Sequence, residues 1–285
     1  MNNYFLKALN QENEAPYIPV WLLRQAGRYM PEYREVRSQY KDFFEMIKKP
    51  EICKELTLQP LNAFDLDAAI TFTDILTIPD ALGLKVNFVK GKGPIFEKSL
   101  SSMDKLDLNT NEFHDKIQYV YSATSLIKEN VNVPLIGFTG SPWTLFVYMF
   151  YGQSPKDFKS IQSYISENSR DAERYLQILT DCCIEYAKRQ VQHGADCIQI
   201  FDSWAGILEN NYVDFSLKYV NQIYEALNGE VPLILYNRGK LLSTFIHESS
   251  FKAYSINSSD QIENYIDEDI TCLLYTSPSP RDRIS

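Results

Sequence analysis

The stretch RDAERYLQILTDCCIEYAKRQVQHGADCIQIF, Arg170 to Phe201, contains one full helix-to-strand step of the fold. Its first part places Ala172, Tyr175, Leu179, Cys182, Tyr186 and Ala187 near one face of a helix running from about Arg170 to His193. Gly194 follows as a stop signal. The next apolar run, Cys197 to Phe201 (CIQIF), is short and almost continuously apolar. A parallel strand covered by helices on both faces has this composition, because neither face meets water.

The same alternation extends in both directions. Further strands are expected at Ile18 to Leu22 (IPVWL), Ala68 to Phe72 (AAITF), Pro134 to Phe138 (PLIGF), Pro232 to Tyr236 (PLILY) and, more weakly, Ala253 to Ile256. Pro50 suits a helix start before EICKELTLQPLNAF. Val86 to Phe96 (VNFVKGKGPIF) alternates around two glycines and predicts a hairpin insertion. No internal repeat or low-complexity linker interrupts the pattern, so one domain is expected. Strand and helix in alternation give an open doubly wound sheet or a closed barrel. No Gly-x-Gly-x-x-Gly follows the first strand, which takes support from a dinucleotide fold.

The bulk numbers set limits on function. The chain has 285 residues, a net charge of -9 and 45% hydrophobic residues. The acidic balance argues against nucleic acid or an anionic membrane as partner. No apolar run approaches the roughly 18 residues that a membrane span needs. The N-terminus, MNNYFLKALNQENEAPYIP, lacks the basic and apolar regions of a secretory signal. Cys53, Cys182, Cys183, Cys197 and Cys272 form no Cys-x-x-Cys pair. Buried free thiols in a reducing cytoplasm are therefore expected, with no metal.

Functional groups in a barrel collect where strands end. After the first expected strand comes LLRQAGRYMPEYREVR, with Arg24, Arg28, Arg34 and Arg37 within fourteen residues. Arg24 and Arg28 flank a Gln-Ala-Gly turn and suit a substrate with several carboxylates, because a guanidinium pairs with a carboxylate through two parallel hydrogen bonds. Arg34 reads instead as part of a solvated helix, paired with Glu32 and Glu35. Asp74 follows the second strand. Gly137 to Gly152 (GFTGSPWTLFVYMFYG) follows from the third and includes Tyr148; FDSWAG includes Ser203. On residue type alone, Asp74 reads as a helix cap or a partner of an arginine, Tyr148 as a core residue and Ser203 as a helix N-cap.

In that order, RQAGRYMPEYREVR, LTLQPLNAFDLDAAITFTDIL, GFTGSPWTLFVYM and IFDSWAG resemble the motifs of the uroporphyrinogen decarboxylase family, from Pro19 to Arg238. The resemblance implies a (β/α)8 TIM barrel that uses no cofactor or metal and works as a homodimer. It implies decarboxylation of the four acetate side chains of uroporphyrinogen III to give coproporphyrinogen III, in haem and chlorophyll synthesis. Carried over residue by residue, it makes Asp74, Arg24 and Arg28 catalytic. Arg24, Gln25, Ala26, Gly27, Arg28, Asp74, Tyr148 and Ser203 become substrate-binding.

Two departures stand out. The family's sixth strand usually ends in a Gly-Leu-Asp-Trp-like segment, where this chain has Tyr254-Ser255-Ile256-Asn257-Ser258. The family's Gly-flanked substrate-binding His has no match, since His114, His193 and His247 lie elsewhere. The segment Cys272 to Ser285 (CLLYTSPSPRDRIS) resembles the translation of a transposase adapter used in sequencing libraries. On that reading residues 1–271 form an incomplete barrel of about six βα units and 272–285 a non-native tail. Two more units would need ~60–80 further residues. Two rival functions are a zinc-dependent methyltransferase of similar fold and a non-catalytic porphyrinogen-binding protein. The first needs a His/Cys metal set, and the fifth strand here ends in Tyr236-Asn237-Arg238-Gly239.

Overall fold

The computed structural model describes residues 3–12, 16–23, 25–89, 92–100, 110–239, 245–257 and 271–275. The chain opens with helix α1 (Tyr4–Leu9), then α2 (Pro31–Ser38), α3 (Phe43–Ile47) and α4 (Pro50–Ala63). Strand β1 (Ala69–Ile70), the short α5 (Thr77–Pro79) and a hairpin of β2 (Val86–Val89) and β3 (Gly93–Phe96) follow. Next come α6 (Thr110–Lys128), β4 (Leu135–Gly140), α7 (Pro142–Tyr151), α8 (Lys159–Glu167) and α9 (Ser169–Gln192). The last part holds β5 (Cys197–Asp202), α10 (Lys218–Leu227), β6 (Leu233–Asn237), β7 (Ala253–Asn257) and β8 (Thr271–Tyr275).

Six strands form one parallel sheet in the order β1-β4-β5-β6-β7-β8. Each strand pairs with the next one of that sheet along the chain. A doubly wound sheet would reverse direction at a switch point. This winding runs one way only, as in a (β/α)8 barrel, and so decides between the two architectures that the sequence pattern leaves open. Among the described residues β1 and β8 do not pair with each other.

Side chains alternate between the two sheet faces. On the inner face, Ala68, Ile136, Cys197, Ile234 and Ala253 pack with Phe5 and Leu9. These lie at the starts of the strands, so α1 plugs that end of the sheet. Thr271 Oγ1 donates to Ala8 O at 2.9 Å and ties β8 to the same plug. On the outer face Ile198, Ile200, Leu233, Leu235 and Tyr254 join the helix-covered core. The opposite end, where the strands finish, is the end available for chemistry.

The expected hairpin, the Pro50 helix and the long helix ended by Gly194 are all present. Gly194 has φ +105°, and a Cβ there would lie 2.7 Å from Lys128 Cγ, so glycine is required. Ile18 to Leu22 is not a strand. Asp67 accounts for this: its Oδ2 accepts from Val20 N at 2.7 Å, and its N–H donates to Val20 O at 2.9 Å. A side chain thus takes a place that a strand carbonyl would fill. Pro19 has no N–H to offer a ladder. Ile18 consequently stays 86% exposed.

The sixth strand of the sheet is instead β8, whose backbone ladder continues four residues past Thr271. The expected barrel domain ends at Thr271. Thr-Cys-Leu-Leu-Tyr is β-branched, apolar and aromatic, which suits a strand whatever follows it. Residues 276–285 lie outside the described residues.

Cys53, Cys182, Cys183 and Cys197 are free and buried, as expected. Burial pushes the thiols of Cys53 and Cys183 up to about 12, so they are inert. No helix among the described residues is long and apolar enough to cross a membrane.

Candidate functional site

The turn after β1 presents Asp74, half-buried. Its Oδ1 accepts from Leu76 N at 2.9 Å and its carbonyl from Thr77 N at 3.2 Å. This short-range turn fixes the carboxylate's position. Ile75 reaches the end of β4: a Cβ on Gly140 would lie 3.3 Å from Ile75 Cβ. Burial raises the pKa of the Tyr186 hydroxyl, and the nearby Asp74 charge adds to the rise.

Tyr148 lies on α7, the helix that follows β4, and its ring meets Trp204 edge-on at 5.9 Å. Ser203 and Trp204 directly follow β5. Tyr148 and Ser203 are both half-buried. Just inside them, Phe138, Phe201 and Tyr236 form an aromatic row, with ring centroids 5.5 and 5.7 Å apart. Asp74, Tyr148 and Ser203 therefore share the strand-finish end of the sheet. A hollow of about 440 Å³ lined by Leu9, Gln11, Pro232 and Lys252 lies at the plugged end and is remote from them.

Arg24 lies outside the described residues. Gln25 is 2% exposed, and its amide is committed to the backbone. Nε2 donates to Ala68 O at 2.5 Å, and Oε1 accepts from Ile70 N at 3.2 Å. It thus serves β1 as a substitute neighbouring strand. Ala26 is buried, Gly27 half-buried and Arg28 exposed.

Arg34 forms no ion pair with Glu32 or Glu35 among the described residues. Its Nη1 donates to the carbonyls of Arg28 at 2.7 Å and Tyr29 at 3.1 Å. Tyr29 Oη donates back to the Gln25 carbonyl. The loop that carries Arg28 is closed on itself from both sides, which explains a cation at position 34 better than a solvated helix face does.

Asp202, the last residue of β5, was not singled out from the sequence. It is fully buried, and hydroxyls rather than a cation surround it. Burial pushes its carboxyl up to about 6, and donated hydrogen bonds from Ser141, Ser216 and Thr144 oppose the rise. Its sequence signal is the one that picks out Asp74: an acidic residue where an apolar strand ends. Among the described residues no three His, Cys, Asp or Glu side chains converge into a metal-binding set.

The family model for uroporphyrinogen decarboxylase (URO-D) matches residues 1–274 of the chain. The uroporphyrinogen decarboxylase of Francisella tularensis subsp. novicida is 42% identical over 259 residues, 89% of this chain and 74% of that protein. That of Ruthia magnifica is 46% identical over 230 residues, 78% of this chain and 66% of that protein. That of Hydrogenovibrio crunogenus is 44% identical over 247 residues, 84% of this chain and 70% of that protein. Among solved structures, a methyltransferase from Methanosarcina mazei superposes with TM-score 0.77 at 20% identity, covering 98% of this chain and 85% of its own. A B12-independent methionine synthase from Shewanella superposes with TM-score 0.52 at 11% identity, covering 81% and 71%. At such identities these structures bear on the fold alone.

Proposed function

The chain belongs to the uroporphyrinogen decarboxylase family, and from that premise we propose that its strand-finish end removes carbon dioxide from the four acetate side chains of uroporphyrinogen III, giving coproporphyrinogen III. Decarboxylation in porphyrin biosynthesis is the family's reaction. The observation that carries its placement here is Asp74, a carboxylate half-buried where an apolar strand ends.

The substrate is a cyclic tetrapyrrole with inward N–H groups and eight outward carboxylates. Breaking the bond to an acetate carboxyl releases an electron pair, and the ring must accept it. A pyrrole protonated on a ring carbon is cationic and can do so. The pair flows into the ring and carbon dioxide leaves; a proton added at the side-chain carbon completes a methyl group, and loss of the proton first added to the ring carbon restores the pyrrole. Asp74 is read as the partner of the pyrrole N–H groups and the counter-charge to that cation. Fixed charges aimed at developing charge are usually the largest catalytic contribution. Tyr148 and Ser203 are read as hydrogen-bond donors to side-chain carboxylates.

An arginine gripping the reacting carboxylate would stabilise the ground state and slow the reaction. Arg24 and Arg28 therefore suit mainly the non-reacting acetates and propionates. Arg28→Ala should raise KM about ten-fold at low ionic strength while kcat changes less, as expected for loss of one charge-assisted contact. Arg28 is exposed, so salt screens it. The gap between variant and wild type should narrow at about 0.5 M salt, where the screening length falls to a few ångströms. A larger fall in kcat than rise in KM would move Arg28 from binding to chemistry.

The direct test is assay of the purified chain for carbon dioxide and coproporphyrinogen from uroporphyrinogen III. The methyltransferase-like fold raises a metal-dependent alternative, which the residues Tyr236-Asn237-Arg238-Gly239 at the end of β6 do not favour. Turnover should survive dialysis against EDTA. Loss of turnover restored by zinc would support the metal-dependent reading instead.

A further inference from the structure

The Asp202 carboxylate binds two separate segments at once. Oδ1 accepts from Ser141 Oγ at 2.7 Å and from Thr144 Oγ1 at 3.4 Å; Oδ2 accepts from Ser216 Oγ at 2.7 Å. Ser141 is the N-cap of α7, where its Oγ also accepts from Thr144 N at 3.0 Å. Ser216 lies in the turn Val213–Leu217 that leads into α10. All four side chains are fully buried.

The same segments carry the hydroxyls assigned to the substrate. Tyr148 stands one helical turn beyond Thr144 on α7. Ser203 is the neighbour of Asp202 itself. Trp204 N donates to Thr144 Oγ1 at 3.3 Å, and Trp143 Nε1 donates to Trp204 O at 2.9 Å, so the loop after β5 is stitched to the start of α7. On its far side that loop abuts the end of β6: a Cβ on Gly206 would lie 2.9 Å from Arg238 O. Little slack remains between the two walls.

A carboxylate with no cation beside it is costly to bury. An apolar residue would serve better if filling space were the only need. Accepting several hydroxyls from separate segments is something that a carboxylate does and an apolar residue cannot. We propose that Asp202 is the positioning residue for the Tyr148–Ser203 wall of the site, holding the two hydroxyls at the separation that a substrate carboxylate requires. This rests on the reading of Tyr148 and Ser203 as substrate ligands.

The test uses the full chain, with KM for uroporphyrinogen III and the Kd of uroporphyrin III read by quenching of tryptophan fluorescence. Trp204 lies beside Ser203 and reports from the wall itself. Asp202→Ala should raise KM and Kd about ten-fold, with kcat changing much less, since small displacements of positioned groups have large effects. Asp202→Asn, which keeps an acceptor, should recover most of the loss. A merely structural role would lower Tm and leave KM and Kd, measured well below Tm, unchanged; that result overturns the proposal.

If Asp202→Ala does not fold, Ser216→Ala carries the same test, because it removes one 2.7 Å donor that stands away from the substrate. It should raise KM about three-fold, and an unchanged KM in the folded variant overturns the proposal. Ser203→Ala and Tyr148→Phe separate the two ideas. If both leave KM unchanged, the ligand assignment fails and takes the proposal with it. If both raise KM while the Asp202 and Ser216 variants do not, the positioning role alone fails.

Discussion

Replacing Asp74 by Asn should lower kcat by about 10²–10³ while leaving the protein folded. The size follows from removing one electrostatic partner of the transition state, which typically costs ~3–4 kcal/mol. Retention of the fold follows from the local geometry. Oδ1 of Asp74 accepts from Leu76 N at 2.9 Å, and the Asn side-chain oxygen can accept the same bond. The turn that sets the side chain's direction is therefore kept, and only the charge is lost. That charge has a specific task. The substrate carries eight negative carboxylates at its rim, so a negative residue in its pocket is unfavourable unless it meets the centre of the ring. There the pyrrole N–H groups donate to it, and the ring protonated for decarboxylation is cationic. An Asn accepts the N–H groups but does not balance the cation, so the loss should fall on kcat rather than KM. Steady-state kinetics with a circular dichroism check on folding would decide it. A near-normal kcat in a well-folded variant would leave Asp74 a turn residue and nothing more.

The helical and strand periods are local properties of the chain, and they survive folding. The apolar face from Ala172 to Ala187 and the run CIQIF are helix and strand as their patterns require. Asp74 and Ser203 stand where strands end, and the rule that chemistry gathers there needs only chain order. What could not be read depends on partners distant in sequence. Ile18 to Leu22 has a good strand composition, yet a carboxylate 47 residues away occupies its backbone. Gln25 falls within an arginine-rich motif, and only the family resemblance implies a substrate contact there; that its amide also bonds a strand 43 residues away has no local signal. Asp202 carries a visible signal, but its three hydroxyl partners lie up to 61 residues off, and no spacing rule connects them. Side chains that complete another segment's backbone look like surface or site residues until both segments are placed.

Gln190→Leu should be the most destabilising substitution of this kind. Gln190 lies on α9 with 0% exposure. Its Oε1 accepts from Phe138 N at 3.0 Å, and its Nε2 donates to Phe138 O at 3.0 Å. Phe138 needs this partner because β1 leaves β4 early: their pairing covers Ala69↔Leu135 and Ile70↔Ile136, and the next contact is Thr71 N to Ile136 O. Beyond that point the Phe138 amide and carbonyl have lost their neighbouring strand, and the glutamine amide replaces it. Leucine has a similar volume, so little cavity forms and the effect isolates the two hydrogen bonds. Each buried group left without a partner costs about 1–3 kcal/mol, for a total of roughly 2–6 kcal/mol. In a domain of this size that corresponds to a fall in Tm of the order of 5–15 °C. Gly137→Ala supplies the internal control. A Cβ there would lie 2.7 Å from Ile198 Cδ1, 2.9 Å from Gln190 Oε1 and 3.0 Å from Ala195 Cβ, and would displace the same amide. The two changes share the injury to that amide, so the double variant should lose less stability than the two single losses together, while the clashes with Ile198 and Ala195 remain. Full additivity in thermal or urea melts would mean that the amide does not bridge Phe138 in solution. A drop in Tm below about 2 °C for Gln190→Leu, under the cost of even one such unpaired group, would mean that water reaches that edge of β4.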